Sequence, residues 1–170
     1  MPHLSKIKPA ISLLTLFLLA TVNFAFAKTI TYENVQIQRA QVELTEEQLL
    51  DIGILIFDPN IPEEERELIF PEIRKAEARY IPYHLKTTLE DTGFWGGVWV
   101  LPETSEAMDL IVTGRIDTSN GLKVSVRIGA WDITGKEWMN KVIETTVPRS
   151  AYSKQRDYTQ DPYQSFYNKI

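Results

Sequence analysis

The sequence contains no cysteine, and only two histidines and eight glycines, in 170 residues. Without cysteine there is no disulfide framework, no thiolate ligand for zinc or iron–sulfur clusters, no thiol nucleophile and no lipid-bearing cysteine. Positive charge is also short, with 18 Lys and Arg against 23 Asp and Glu and a net charge of −5. Phosphate neutralisation needs clustered cations, so nucleic acid is excluded as an expected partner. The glycines make no phosphate-cradling loop: Gly93-Phe94-Trp95-Gly96-Gly97 is irregular and leads into a strand instead of a helix.

Catalytic groups are equally scarce. His84 stands alone beyond residue 27, one helical turn before Thr88, with no nucleophile motif beside it. Neither histidine spacing nor a carboxylate cage marks a metal site. Asp109, Asp117 and Asp132 fall at strand ends or on a polar strand face, where turn chemistry and cross-strand pairing account for them. Hydrolysis of a glycosidic bond would instead need two acids facing each other across a cleft. No cofactor and no enzymatic activity are expected.

What is present begins with a leader. Lys6 and Lys8 precede the uncharged run Pro9 to Ala27, whose centre, Ile11 to Ala20, is apolar. Ala25-Phe26-Ala27 places small residues at −3 and −1, completing the pattern of a secretory signal peptide cleaved after Ala27. Ser12, Thr15, Thr21 and Asn23 dilute the run below the strongly apolar stretch that a membrane span requires. Cleavage removes two lysines and no acid, so the mature chain is two charges more acidic than −5. The expectation is an exported, periplasmic, soluble protein with no stable membrane anchor after cleavage. Its parts are a signal peptide over 1–27, an α+β domain over 28–148, and a C-terminal tail with a short helix over 149–170.

Along the mature chain, residues 29–43 alternate loosely and suggest an extended, edge-like segment. Asp51 to Asp58 is a short apolar run closed by Asp58-Pro59-Asn60, which suggests a buried strand. Pro62 and the acids Glu63, Glu64, Glu65 and Glu67 suit the solvated start of a short helix. A break is expected at Phe70-Pro71, then a longer helix kinked near Pro82. Ala78, Ile81, Leu85 and Leu89 draw its buried stripe, and Gly93 caps it. Val98 to Leu101 forms another short strand before Pro102.

The clearest alternation follows. Leu110, Val112, Gly114 and Ile116 alternate with Ile111, Thr113, Arg115 and Asp117, and after a turn Leu122, Val124, Val126, Ile128 and Ala130 alternate with Lys123, Ser125, Arg127, Gly129 and Trp131. A three-residue loop, Ser119-Asn120-Gly121, brings both apolar sets to one face and pairs Ile116 with Val124 and Asp117 with Lys123. Gly121 then takes the left-handed position. Asp132 to Lys136 makes a second turn into the strand Trp138 to Val147. There, either Trp138 and Val142 or Met139, Ile143 and Val147 face inward. Residues 149–161 read as a loop, and Asp161-Pro162 opens a helix carrying Tyr163, Phe166 or Tyr167, and Ile170 on one side. The fold class is α+β: a mainly antiparallel sheet, built as strand–helix–strand then a β-meander, with one long Pro-kinked helix on one face.

Together these elements resemble a known family type. Ile52 to Phe57, then Leu89 to Phe94, then Asp109-Leu110-Ile111-Val112-Thr113-Gly114 and Trp131 to Lys136 look like the small α+β domain at the amino end of the TolB translocation protein. The domains of CsgG-type secretion proteins and of lipoprotein activators of penicillin-binding proteins are similar. The resemblance spans about residues 51–147 and rests on structural motifs. It implies an envelope assembly, scaffolding or regulatory module, and it carries over no binding residue. The sequence departs from those families in having neither a lipid-anchor cysteine nor a propeller repeat.

The expected function is an interaction or assembly module acting on another cell-envelope component. Arg115, Arg127 and Trp131 on the polar sheet face, with Tyr163 nearby, are the candidate partner-binding residues. The rival expectation is a protein that binds or hydrolyses peptidoglycan or another carbohydrate, stacking sugars on Trp95 and Trp99 beside an acid. The partner is thus an envelope protein or peptidoglycan.

Overall fold

The computed structural model describes residues 35–62, 70–154 and 161–170. The chain divides into two units, Met1–Ile30 and Thr31–Ile170, and every described residue belongs to the second. The leader and the acidic helix start at 63–67 therefore lie outside the described residues. Among the described residues, no helix is long and apolar enough to cross a membrane.

The described residues form an α+β architecture of one mixed five-stranded sheet and one long helix. In chain order the elements are β1 (Ile52–Leu55), α1 (Pro71–Glu90), β2 (Val98–Leu101), β3 (Leu110–Ser119), β4 (Lys123–Asp132), β5 (Glu137–Thr146) and the short α2 (Gln164–Tyr167). Spatial order is β2-β1-β3-β4-β5. The expectation of a mainly antiparallel sheet is corrected here. β1 runs parallel to both its neighbours, Ile52 opposite Val98 on one side and opposite Leu110 on the other. Only β3, β4 and β5 form the antiparallel meander, and it grows from β1 while β2 becomes the edge. The reason lies in β1 itself, whose Ile-Gly-Ile-Leu run is apolar on both faces and occupies the sheet interior.

Helix α1 starts with Pro71 at its first position, where a missing N–H costs nothing. Ala78, Ile81 and Leu85 are buried as the stripe requires, and Leu89 packs partly against the same core. They meet Ile52, Ile54, Leu110, Val112, Ile116, Val126 and Ile128 from the sheet. Pro82 sits within α1, which continues as helix on both sides of it. Its ring cannot donate to the Ala78 carbonyl, and that oxygen instead accepts the Phe57 N–H at 3.0 Å. The helix ends at Glu90, with Gly93 beyond it at φ +70.

The β3–β4 hairpin keeps the expected faces but shifts the register. Ile116 pairs with Val126 and Val112 with Ala130, two residues further along β4 than expected. Asp117 is skipped between Ile116 and Thr118, and this bulge offsets a tighter turn in which Asn120 N–H bonds the Lys123 carbonyl at 3.2 Å. Up to Ile116 an offset of two residues preserves side-chain parity, whereas beyond the bulge Thr118 and Ser119 pair with Ser125 and Val124. Gly121 has φ +80, the left-handed conformation expected of it. Lys123 is consequently not opposite Asp117; it pairs with Glu144 at 2.9 Å.

On β5, Ile143 is buried and Met139 packs on the core, whereas Trp138 and Val142 are exposed. Of the edge-like segment expected over 29–43, residues 29–34 lie outside the described residues, and residues 35–50 do not join the sheet. They run irregularly beside the end of α1, with Ala40 N–H on the Thr92 carbonyl at 2.8 Å and Asn168 Nδ2 on the Val35 carbonyl at 2.7 Å. The tail forms a 3-10 turn over Arg149–Tyr152 and then α2, which buries Phe166 and Tyr167.

Candidate partner-binding face

Among the described residues, α1 and α2 lie on one side of the sheet and no helix lies on the other. On that side the registers align Trp99 of β2, Gly53 of β1, Ile111 of β3 and Trp131 of β4 in one row across the strands. Strand spacing of about 4.8 Å separates the two tryptophan positions by about 14 Å. Both indoles lie down on the sheet. A Cβ at Gly97 would meet the Trp99 ring at 1.6 Å, and one at Gly129 would meet the Trp131 ring at 2.2 Å. The repeated Gly-x-Trp spacing explains this, since residues two apart in a strand share a face and glycine leaves room for the ring. Between the indoles the floor is apolar: Leu101, Met108 and Ile111 close over Gly53. Trp99 remains 42% exposed.

The polar end of this face lies further along β3 and β4. Arg115 and Arg127 stand directly opposite each other. The bulged Asp117 lies between them, with Oδ1 3.1 Å from Arg115 Nε and Oδ2 3.4 Å from Arg127 Nη2. Beyond Arg127 on β5 comes the exposed Val142. The face is therefore an apolar, tryptophan-bearing platform bordered by two half-exposed guanidinium groups.

Three of the four expected residues, Arg115, Arg127 and Trp131, thus share this face. Tyr163 does not. It packs on the helix-side core and donates its hydroxyl to the Gly121 carbonyl at 2.9 Å, within 2.6 Å of the Tyr152 hydroxyl. Burial, aided by the Tyr152 contact, holds its phenol well above the usual tyrosine value. The short α2 places it there, because burial of Phe166 and Tyr167 brings the preceding turn against α1 and the β3–β4 hairpin. Sequence reasoning passed over Trp99's place in the row with Trp131; the two Gly-x-Trp triplets were the available signal.

The remaining candidates have structural work. Trp95 and Trp99 part company: Trp95 packs against the helix-side core while Trp99 lies on the open face, so they form no joint sugar site. Asp109 Oδ2 accepts the Asp51 N–H at 2.8 Å, and Asp51 Oδ1 accepts the Gly97 N–H at 2.6 Å. These carboxylates splice the starts of β1, β2 and β3. Asp132 closes the β4–β5 turn, accepting from Thr134 Oγ1 at 2.6 Å and Trp138 Nε1 at 2.8 Å, and these bonds lower its carboxyl to about 2. His84 pins the tail, with Nε2 3.1 Å from Gln164 Oε1 and its ring 4.2 Å from that of Tyr167. Among the described residues no group of three or more His, Asp or Glu side chains is placed to hold a metal.

Comparison of the chain with protein-family models finds no match, and comparison with curated proteins finds none.

Proposed function

We propose that this protein is an exported, periplasmic, non-enzymatic interaction or assembly module, and that it docks another envelope component on the open face of its sheet. The observation that carries the reading is the row Trp99–Gly53–Ile111–Trp131 on a sheet side where no helix lies among the described residues. Flat aromatic anchors with arginines at the rim are the residue types that concentrate binding energy at protein interfaces. The leader pattern over residues 1–27 supports export, and the resemblance of residues 51–147 to TolB-type envelope domains supports an assembly role.

Glycan binding is the second reading, favoured by one observation: both indoles lie flat on the sheet, an orientation suited to stacking on a sugar ring. Hydrolysis receives less support, since Asp51 and Asp109 are engaged with backbone N–H groups.

Capture from envelope extract, run beside sedimentation with insoluble peptidoglycan, separates the two. Trp131→Ala and Trp99→Ala are each expected to cut capture at least about tenfold, as truncated interface anchors do, with little loss of thermal stability. Co-sedimentation with peptidoglycan that is lost in both variants would transfer the assignment to glycan. Equal loss of binding and stability in Trp131→Ala would make Trp131 a core residue and overturn the assignment of the face.

A further inference from the structure

Two guanidinium groups share one carboxylate at the polar end of the open face. Asp117 accepts from Arg115 Nε at 3.1 Å and from Arg127 Nη2 at 3.4 Å, and among the described residues neither guanidinium makes another hydrogen bond. A guanidinium is a planar fork of N–H donors, so each half-exposed arginine keeps most of its donors for other acceptors. Two positive charges against one negative leave a local positive excess on a chain whose net charge is −5. Lys123, further along β4, is matched by Glu144 at 2.9 Å and leaves that excess unchanged.

The apolar platform ends close to this pair. The Trp131 ring lies over Gly129, and Gly129 precedes the Arg127 position by two residues on the same strand face, about 7 Å. Thr113, opposite Gly129, adds no charge between them.

We propose that the partner docked on this face is an acidic protein segment, with an apolar side chain packed on Trp131 and a carboxylate about 7 Å away on the remaining donors of Arg115 and Arg127. The inference rests on the docking reading of the same face and adds the chemistry of its partner. Guanidinium groups hold a carboxylate by charge-assisted, frequently bidentate bonds. A second carboxylate brings the cluster to two charges of each sign, whereas a basic partner would add to the repulsion. The spacing suits an acid two residues from the apolar anchor in an extended chain, and three or four residues away in a helix.

The test is selection of random dodecapeptides, displayed on phage, against the immobilised full chain. Peptides whose binding is lost in Trp131→Ala are expected to carry Asp or Glu within four residues of an aromatic or aliphatic residue. Synthesised with the acid replaced by its amide, such a peptide should bind about fivefold more weakly, the upper range for an exposed ion pair, and the difference should shrink in concentrated salt. The double variant Arg115→Gln, Arg127→Gln should bind the acid and amide peptides equally. Asp117→Asn, which releases the donors held by Asp117, should tighten the acid peptide about threefold. Peptides that need Trp99 and Trp131 but show no acid, or bind equally as acid and amide, overturn this proposal and leave the docking face standing. Selection of no peptide that depends on either tryptophan removes the docking reading, and the acidic partner with it. Co-sedimentation with peptidoglycan that is lost in the double arginine variant, with no peptide selected, moves the carboxylate to a glycan and likewise overturns the proposal. The acid–amide comparison is made on the unaltered chain, so it decides the matter even if a variant fails to fold.

Discussion

The Ala78 carbonyl inside α1 accepts the backbone N–H of Phe57 at 3.0 Å, four residues before Pro82. A proline that would otherwise break a helical ladder thereby frees an acceptor, and the acceptor fastens the end of β1 to the helix. Pro82→Ala restores a competing donor. The Phe57 amide is then expected to exchange with solvent about fivefold to tenfold faster, a loss of about 1 kcal/mol at that bond. Native-state hydrogen exchange measures this directly, and unchanged Phe57 protection would refute the coupling.

Arg115 and Arg127 oppose each other across β3 and β4, and like charges so placed repel unless a counter-ion intervenes. Asp117 supplies it. Both guanidinium groups are about half exposed, so solvent screening limits the effect. Asp117→Asn should destabilise the fold by about 0.5 kcal/mol at low salt, with the difference shrinking in concentrated salt. Urea denaturation at two ionic strengths checks both the size and the salt trend.

Two glycine substitutions should behave differently, although each adds a methyl group under an aromatic ring. A Cβ at Gly114 would meet the Phe57 ring at 2.5 Å, and Phe57 is only 1% exposed and has nowhere to go. Gly114→Ala is expected to cost about 1–3 kcal/mol through overpacking. At Gly129 the clash is with the outer edge of the partly exposed Trp131 ring, which can swing away. Gly129→Ala should therefore cost under about 1 kcal/mol while lifting the indole off the sheet. With 5-fluorotryptophan incorporated, ¹⁹F spectra should show the Trp131 signal moving most. A large stability loss at Gly129 would mean that Trp131 is fixed.

The Asp132 carboxyl titrates near 2 instead of its ordinary 3.8, because its ionised form accepts the bonds from Thr134 and Trp138. A folded value below the unfolded one means that the carboxylate's contribution is complete above about pH 4. It disappears as the pH falls through 2. The stability gap between the wild type and Asp132→Asn should accordingly be constant at neutral pH and close in strong acid. The Trp138 indole N–H resonance should shift over the same acid range; a shift centred near pH 4 would contradict the turn geometry.

Local pattern was enough to locate most elements. Period-two alternation in 110–116 and 122–130 marked β3 and β4 and assigned their inner residues, and helical spacing from Ala78 to Leu89 marked the buried stripe of α1. The hairpin register was less legible. Parity excludes odd shifts only, and the choice between registers two residues apart rested on the bulge at Asp117, which alternation does not encode. Of the four residues proposed to bind a partner, Arg115, Arg127 and Trp131 share one face of the sheet, as strand parity alone indicates.

What the sequence by itself determined is thus everything that depends on neighbours along the chain: the strands β3 and β4, the apolar stripe of α1, and the left-handed turn at Gly121. Tertiary structure decided what depends on partners far away in the chain. It made β1 a parallel interior strand, aligned Trp99 with Trp131 through Gly53 and Ile111, sent Trp95 and Tyr163 to the helix side, and gave the freed Ala78 carbonyl to Phe57. The physical reason is common to all four. A side chain's periodicity reports which face of its own element it occupies, whereas pairing and burial are settled by the competition of distant segments for the same hydrogen bonds and the same core.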